Sequence, residues 1–442
     1  FISGDALKLR EFIKKYVTEG DNKETLYLIE NGKIKPSKSL QDCIAGMVKQ
    51  NKEFILLDNQ KVVYETAMEM AKKSNEDGKK RCLIVKGGPG TGKTVLAINL
   101  LSDLTNKPYE MVCHYVTKNA APRAVFKAKL KGTERISKID NMFKGSGIYT
   151  EAKKDDVGVI LADEAHRLNA KSGMFKNHGE NQIKEIINAA KFSVFFIDET
   201  QRIDIYDIGS VAEIEKYLDE FGIVGEERKI LELESQFRCN GSDGYLNWLN
   251  DVLEIKETAN FDGFDFNYDL QVVDNPTEMR KMIEEKNKVN NKSRLLAGYC
   301  WKWESKKDFN KYDIVFPEYD FKMKWNLAAK EPWAIGKNSV NEIGCIHTCQ
   351  GLEFDYVGVI IGEDIRYENG KIITDFTKRD SGDKSIKGIK KLYKENKEEA
   401  LAKADEIIKN TYRVLLTRGM KGCYIYCRDE ALQNYLKERS NM

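Results

Sequence analysis

The sequence has few prolines, no repeats, no long apolar run and no excess of one charge, so it is typical of an ordinary globular protein. It contains only 7 prolines in 442 residues, with no tandem repeat and no low-complexity linker, which excludes collagen-like and largely disordered chains. It has no run of about 18 uncharged apolar residues, so no membrane-spanning helix is expected. It also has no excess of one charge, since 72 Lys and Arg face 70 Asp and Glu. A nucleic-acid partner would therefore have to be recognised by a local patch.

Cysteine usage gives no sign of a disulfide framework. The nine cysteines are odd in number and scattered, and the chain has no secretory signal segment. We therefore expect free thiols in a reducing compartment and a cytoplasmic location. The sequence starts with Phe1 instead of Met, so we expect that an upstream segment has been removed or left out.

From about residue 80 onward, short apolar runs alternate with segments of helical periodicity, which is typical of a parallel sheet with crossover helices. The length suggests two or three domains. Residues 1–54 form a small mixed extension in which the Asn31-Gly32 turn predicts a hairpin. The clearest predicted strands are Cys82–Lys86, Met111–Thr117, Val157–Asp163, Ser193–Asp198, Leu295–Tyr299 and Tyr356–Ile361. The predicted helices are Thr94–Leu104, Ala124–Lys131, Gln182–Ala190, Ile214–Phe221, Tyr245–Leu253 and Ala402–Leu416.

A phosphate-binding loop follows the first of these strands. Its glycines let backbone N–H groups converge on phosphates, and the N-terminus of the following helix adds its positive end. A lysine in this position reaches the β- and γ-phosphates, and the next hydroxyl binds Mg²⁺. The eight residues of the Walker A pattern are Gly87, Gly88, Pro89, Gly90, Thr91, Gly92, Lys93 and Thr94. The sequence therefore predicts ATP and Mg²⁺ as ligands.

A second apolar strand, Val157–Ala162, ends in two acidic residues where ligands bind in open parallel sheets. Asp163 is predicted to hold Mg²⁺ together with Thr94. Glu164 is predicted to polarise the attacking water as general base. His166 is either a core residue or a coupling element, and the sequence leaves this open.

The order and spacing of further motifs over roughly residues 55–430 resemble superfamily one helicases, and more closely the Schlafen-type helicase-like ATPases. The resemblance implies one role for each of six side chains. Gln60 would read adenine, Gln201 would sense the γ-phosphate, Phe237 would stack on the base, Arg238 and Arg418 would act as arginine fingers, and Glu353 would lie near the ribose.

The same resemblance implies the fold and the nucleic-acid contacts. It implies two RecA-like parallel-sheet domains of the P-loop NTPase class, at residues 55–235 and 236–442, with ATP between them. Thr348 would lie near a nucleic-acid backbone. The segments between the motifs are short, which leaves little space for the accessory domains of processive relatives and puts strand separation in doubt.

A local basic patch follows the second predicted strand, and it contains no acidic residue. It consists of Lys118, Arg123, Lys127, Lys129 and Lys131. Such a patch either contacts the phosphates of single-stranded DNA or RNA or is a solvated helix face. Another basic excess, at residues 378–397, is open to the same two interpretations. The aromatic stretch Tyr299–Trp303 is either a base-stacking platform or, in the interpretation we favour, part of the core.

Two functions from different classes are consistent with the sequence. The first is an ATPase that couples hydrolysis to movement along, or remodelling of, a single strand. The second is a regulatory ATP switch that gates an upstream effector, such as a nuclease, or a partner protein. Relatives of the Schlafen type are linked with defence against foreign nucleic acid, and the second hypothesis takes its context from that resemblance.

Overall fold

The computed structural model describes residues 6–16, 40–51, 53, 54, 56, 58–173, 177–234, 243–256, 268–326 and 332–440. The chain divides into two compact units, Phe1–Lys35 and Pro36–Met442. Of the first unit, the structure describes one helix. The predicted hairpin around Asn31-Gly32 lies outside the described residues.

The second unit is built from alternating strands and helices. In the part of the chain that the structure describes, the helices are α1 (Ala6–Tyr16) of the first unit and, in the second unit, α2 (Leu40–Val48), α3 (Asp58–Asp77), α4 (Lys93–Thr105), α5 (Ala120–Leu130), α6 (Ile136–Met142), α7 (Gln182–Ala189), α8 (Val211–Glu220), α9 (Asp243–Val252), α10 (Pro276–Asn290), α11 (Ile346–Cys349), α12 (Ile389–Glu395), α13 (Lys397–Leu416) and α14 (Glu430–Ser440). The strands are β1 (Arg81–Gly87), β2 (Cys113–Val116), β3 (Phe143–Lys144), β4 (Val157–Ala162), β5 (Ala190–Ile197), β6 (Arg228–Leu233), β7 (Asp269–Val272), β8 (Ser293–Ala297), β9 (Ile314–Phe316), β10 (Phe321–Trp325), β11 (Glu342–Gly344), β12 (Phe354–Ile361), β13 (Ile365–Glu368), β14 (Lys371–Thr374) and β15 (Gly419–Cys427).

All six predicted strands and all six predicted helices are confirmed within a few residues of the predicted ends. One local pattern does not decide the structure. Cys345, His347 and Cys349 alternate in the sequence, which is typical of a strand, but Ile346–Cys349 forms one helical turn instead. The hydroxyl of Thr348 accepts the backbone N–H of Cys345 and so caps the start of this turn. A local side-chain cap therefore decides the structure here against the period-two pattern.

The first sheet is wholly parallel and has the strand order β3-β2-β4-β5-β1-β6. The central strands β1, β4 and β5 are largely buried and most of their residues are apolar, as expected where helices cover both faces of a parallel sheet. Their carboxyl ends share one edge, which brings the loops after β1, β4 and β5 together. We call residues 58–234 the first lobe.

The second sheet has the order β7-β15-β12-β8-β11-β10-β9 and is parallel except for its edge strand β9. A separate antiparallel hairpin, β13–β14, lies between β12 and α12. We call residues 243–440 the second lobe. Together the lobes have the two RecA-like parallel-sheet layout expected from the sequence.

Helix α2 contacts both lobes. The hydroxyl of Ser102 in α4 donates to the carbonyl of Met47 at 2.7 Å. At the other end of α2, the amide of Gln41 donates to the carbonyl of Glu353 at 3.1 Å. The carboxylate of Asp42 pairs with Lys129 of the first lobe at 3.0 Å and with Lys292 of the second. Helix α2 thus links the two lobes.

The aromatic stretch Tyr299–Trp303 packs inward, as the favoured interpretation predicted. Tyr299 stacks on the fully buried Trp325 with ring centroids 5.3 Å apart, and Trp301 meets Phe316 edge-on. These rings belong to the apolar cluster of the second sheet.

In the part of the chain that the structure describes, no helix combines the length and apolarity that crossing a membrane would require.

Candidate active site

The loop between β1 and α4 depends on glycine at two positions. Gly90 and Gly92 have φ values of 80° and 87°, a region that other residues rarely adopt. A Cβ atom on Gly92 would overlap the side-chain nitrogen of Gln60, which donates to the carbonyl of Thr91 at 3.0 Å. Gln60 therefore packs directly on the loop, where the resemblance expected an adenine-reading residue. Its proposed contact with adenine stays a prediction.

Lys93 lies inside the curve of the loop. Its ammonium donates to the carbonyls of Gly87 and Gly88, both at 2.6 Å, and the side chain is buried. These bonds hold a positive charge at the first turn of α4, where backbone N–H groups already favour an anion.

Asp163 follows β4 and collects three hydrogen bonds. Its carboxylate accepts from the Thr94 hydroxyl at 2.8 Å, from the Tyr115 hydroxyl at 2.7 Å and from the backbone N–H of Glu164 at 3.0 Å. Burial and the neighbouring Glu164 carboxylate raise the pKa of Asp163 above its ordinary value. A buried carboxylate beside a hydroxyl is a donor pair of the hard oxygen type that Mg²⁺ prefers.

Among the described residues, no three or more His, Cys, Asp and Glu side chains form a cluster that could hold a metal alone. Thr94 and Asp163 fit Mg²⁺ in the manner of phosphate-binding loops, where nucleotide oxygens and water supply the remaining ligands.

Glu164 is held in an unusual backbone conformation. Its φ of 54° and ψ of 44° are left-handed, which costs a non-glycine residue about 1–3 kcal/mol. The carboxylate is buried, and its Oε2 lies 2.9 Å from Nε2 of His166, although without hydrogen-bond alignment. Burial favours the neutral acid, but His166, Lys93 and Arg418 together lower the pKa of Glu164 below its ordinary value. The carboxylate is therefore ionised at neutral pH.

His166 connects the Glu164 carboxylate with the loop after β5. The ring is fully buried, and Nδ1 accepts the backbone N–H of Asp198 at 3.3 Å. For a neutral ring this acceptor role assigns the proton to Nε2, the atom that faces Glu164. The structure thus places His166 between the loops after β4 and β5, a position that favours the coupling element among the two alternatives.

The loop after β5 is organised around the buried carboxylate of Asp198. It accepts from the N–H of Thr200 at 3.1 Å, from the Thr200 hydroxyl at 2.6 Å and from the Gln201 amide at 2.6 Å. Burial alone would raise the pKa of Asp198, but the charges of Lys93 and Arg413 lower it below its ordinary value. The side-chain oxygen of Gln201 is buried without a hydrogen-bond partner among the described residues.

Arg413 of α13 reaches this loop from the second lobe. Its guanidinium donates to the Thr200 hydroxyl at 2.9 Å and to the Asn250 side chain at 2.7 Å. A continuous series of contacts therefore runs from α13 through Thr200, Asp198 and His166 to Glu164.

Arg418, predicted as an arginine finger, is fully buried two residues after the end of α13. It donates to the carbonyls of Val414 at 2.9 Å and Leu352 at 3.4 Å. Its charge still lowers the pKa of Glu164, so the guanidinium lies near the site. Its catalytic role stays a prediction. Phe237 and Arg238 lie outside the described residues.

The predicted nucleic-acid patch is largely engaged in internal contacts. Lys118 pairs with Asp207 at 2.9 Å and Asp204 at 3.4 Å. Lys127 pairs with Asp140, and the Arg123 guanidinium donates to the carbonyl of Thr117. Lys129 pairs with Asp42, as described above, and Lys131 is exposed beyond the end of α5. A nucleic-acid strand would have to compete with carboxylates for Lys127 and Lys129. It could contact Lys131 directly at the end of α5.

The segment that carries Thr348 and Glu353 lies against the first lobe. The carbonyl of Gln350 accepts from the Asn119 amide at 3.0 Å, and its side chain accepts from Arg167. Thr348 is partly exposed although its hydroxyl caps α11, and Glu353 is partly exposed at the end of the same loop. Their proposed contacts with backbone and ribose stay predictions.

Sequence reasoning missed Arg413 and Asp198 and left His166 open. Asp198 directly follows a predicted strand, and this position was the available signal. Arg413 lies five residues before Arg418, in the same helicase-like stretch Tyr412–Gly419, but the resemblance gave a role to Arg418 alone.

Residues 80–429 match the family model described as Schlafen group 3, DNA/RNA helicase domain, which covers more than half of the chain. The uncharacterized protein YPL245W of Saccharomyces cerevisiae is 25% identical over 393 residues, which are 80% of this chain and 83% of that protein.

Among solved structures, the Pif1 helicase from Candida albicans is 11% identical, with a TM-score of 0.32 over 88% of this chain and 99% of that one. The DEAD-box helicase Mss116 bound to ssRNA and UDP-BeF is 13% identical, with a TM-score of 0.39 over 91% of this chain and 75% of that one.

Proposed function

Since the chain belongs to the Schlafen group 3 DNA/RNA helicase domain family, we propose that it hydrolyses ATP and couples hydrolysis to the binding of single-stranded DNA or RNA. Movement along the strand or remodelling of its structure would be the output. The family supports a helicase-like nucleotide-binding protein. Hydrolysis, Mg²⁺ dependence and the coupling are our proposal.

One observation carries the proposal. Four side chains of the first lobe converge at the carboxyl edge of its sheet: Lys93 within the loop, Thr94 and Asp163 joined at 2.8 Å, and buried Glu164 one residue on. A cation, a hard-oxygen pair and a carboxylate are the groups that phosphoryl transfer to water requires.

Each group would have a separate task. Lys93 would bind the phosphates, and Glu164 would accept a proton from the attacking water and orient it. Thr94 and Asp163 would hold Mg²⁺, which neutralises phosphate charge when bound. Burial of this cluster limits access of bulk water, which strengthens each electrostatic contact.

The contacts from Arg413 to Glu164 support the coupling. Because α13 belongs to the second lobe, a change at a strand-binding surface of that lobe would reach Thr200 and Asp198 through Arg413. His166 would pass the displacement to Glu164. Strand binding would then alter the position of the catalytic carboxylate without direct contact to ATP.

The test is ATP turnover with and without single-stranded DNA and RNA, for the natural chain and Glu164→Gln. We expect stimulation by at least one strand type and a loss of about 100-fold or more in kcat in the variant, because the amide cannot accept the proton. ATP affinity should stay within a few-fold. Glu285→Gln, which changes an exposed glutamate of α10, is the matched control.

Turnover of Glu164→Gln within a few-fold of the natural chain would contradict the role of Glu164. Normal hydrolysis with neither strand binding nor strand stimulation would instead favour the regulatory switch that gates an upstream effector or a partner protein.

A further inference from the structure

The hairpin at the edge of the second sheet has an apolar inner face and an outer face with two lysines. Strands β9 and β10 form an antiparallel hairpin in which Val315 lies opposite Lys322. The inward side chains of the hairpin belong to the apolar cluster of the sheet. The outward positions are Val315, Lys322 and Lys324, and the first two are exposed. This outward face departs from the apolar pattern of the central strands.

Two aromatic rings lie over this face. Phe309 is 67% exposed and Tyr312 is 44% exposed, which is unusual for residues of this size. The Lys324 ammonium lies 3.6 Å from the centroid of the Phe309 ring and 5.4 Å from that of Tyr312. It also donates to the carbonyl of Phe309. The rings are therefore held in place by cation–π contacts and still reach solvent.

We call Phe309, Tyr312, Lys322 and Lys324 the hairpin platform. Lys322 lies 5.5 Å from the Tyr312 ring. Within the described ranges, neither Lys322 nor Lys324 forms an ion pair with a carboxylate. Three further lysines of the preceding loop, Lys306, Lys307 and Lys311, are exposed.

Carboxylates near the platform do not neutralise its two lysines. Glu304 is shared by Lys302 at 3.1 Å and Lys311 at 3.4 Å, and Glu318 pairs with Arg428 at 2.6 Å. Asp313 is buried, and Asp308 and Asp320 are exposed without an ion pair to Lys322 or Lys324 in the described ranges. Exposed rings next to ammonium groups that have no carboxylate partner in the described ranges match planar bases next to phosphates, the combination that single-strand binding surfaces use. An acidic protein surface would use the cations but not the exposed rings.

We propose that the hairpin platform is a second contact site for single-stranded nucleic acid, separate from the ATP site and from the patch on α5. Bases would stack on Phe309 and Tyr312, and phosphates would contact Lys322 and Lys324. This inference rests on the proposed strand binding, and it adds a site on the second lobe to it.

The test measures binding of fluorescent oligo-dT and oligo-rU, of about 10 and about 30 nucleotides, to the full chain at several salt concentrations. Phe309→Ala with Tyr312→Ala should weaken binding of the longer oligonucleotide about tenfold or more and leave its salt dependence unchanged. Lys322→Gln with Lys324→Gln should also weaken binding and reduce the salt slope by up to about two units, one per lost phosphate contact.

The matched control is Lys288→Gln with Val289→Ala, which changes an exposed lysine and an 82% exposed apolar residue near the end of α10. Binding should be unaltered in this control. Basal ATP turnover should be unaltered in all three variants, because none of the changed residues belongs to the ATP site. With 5-iodouracil in the oligonucleotide, ultraviolet light should attach it to Phe309 or Tyr312.

The outcomes separate the two proposals. If the natural chain binds no single strand, the proposed strand binding fails and this site fails with it. If it binds strands and both platform variants bind them equally well, only this inference is overturned. Platform variants that change self-association or capture of a protein, with strand binding intact, overturn it as well.

Discussion

At the scale of single residues, the active site combines groups that local patterns reveal with groups that they do not. Lys93, Thr94, Asp163 and Glu164 follow strands at positions whose chemistry is set by the strand–loop–helix order, and for this reason the sequence could nominate them. His166 could only be noticed as a rare residue. Its contacts with Glu164 and Asp198 join two loops that lie 32 residues apart, which no local pattern encodes.

A buried histidine outside this site should make the stability of the fold depend on pH. His114 on β2 contacts the Tyr149 hydroxyl through Nδ1 at 2.9 Å. Burial, and to a lesser degree the charge of Lys144, lowers the pKa of His114 to about 4. An unfolded chain has a histidine pKa near 6.5, so below that pH the unfolded chain takes up a proton that the folded chain refuses. Stability should therefore be lost as the pH falls from about 6.5 to about 4.

His114→Gln should remove this part of the pH dependence. Between pH 7 and pH 5 we expect the free energy of unfolding to fall by about 1 kcal/mol less in the variant than in the natural chain. Urea unfolding at both pH values measures it. Equal losses in the two proteins would show that His114 does not titrate differently on folding.

At the scale of elements, the sequence predicted six of the fifteen strands and six of the fourteen helices in the described residues, because continuous apolar runs and helical periodicity are local signals. It missed the short strands β9, β10 and β11, since three to five residues give too short a pattern. The segment between β12 and α13 contains a buried charge cluster, which periodicity does not indicate.

That cluster makes a stability prediction. Arg379 pairs with Asp383 at 2.6 Å and Asp364 at 3.4 Å, and all three side chains are fully buried. Asp364 also accepts the hydroxyl of Tyr412 in α13. Arg379→Met should lower the free energy of unfolding by about 3–5 kcal/mol, because two buried carboxylates lose their cation.

Adding Asp364→Asn and Asp383→Asn to that variant should recover part of the loss, since neutral amides cost less to bury. Lys391→Met, at an 81% exposed position of α12, should change stability by no more than about 0.5 kcal/mol. Thermal and denaturant unfolding measure the stability of all three variants. A small effect of Arg379→Met would mean that the carboxylates are protonated or hydrated there.

The contact between α13 and the loop after β5 makes a prediction about coupling. Thr200→Val keeps the shape of the side chain but removes its bonds to Arg413 and Asp198. We expect strand-stimulated ATP turnover to fall about tenfold, with ATP affinity and basal turnover within about twofold, because the link between the lobes is lost and the phosphate site is intact.

Thr377→Val is a close control. The Thr377 hydroxyl and N–H both donate to Asp375, the same turn that Thr200 makes with Asp198, but without an arginine of the other lobe. If both variants lose stimulation equally, or if Thr200→Val lowers basal turnover as much, the coupling route through Thr200 is wrong.

At the scale of the whole molecule, the parallel-sheet layout was predictable because each apolar strand is followed by a helix. The contacts between lobes were not. They join residues such as Asn410 and Arg202, or Ile205 and Ser385, which lie far apart in the chain. The contacts of helix α2 were not predictable either. It lies within the predicted extension at residues 1–54, yet it packs against α4 and α5.

This packing makes a prediction about shortened chains. A chain that begins at residue 36 should fold with a transition temperature close to that of the 442-residue chain, because α2 is retained. A chain that begins at residue 55 loses the buried Ile44, Met47 and Val48 and should be several kcal/mol less stable. Calorimetry of both proteins decides it, and equal transition temperatures would show that α2 contributes little.

The strand order of the first sheet also has a consequence for synthesis on the ribosome. Strand β1 pairs with β5 and β6, which are translated last among the six strands of this sheet. Roughly 150 residues must be added after β1 before both neighbours exist, which takes about 10 to 30 s at common elongation rates. During that interval the loop carrying Lys93 has no completed sheet to support it. A nascent chain should therefore acquire nucleotide affinity abruptly, after Leu233 has left the exit tunnel, and not gradually as it lengthens.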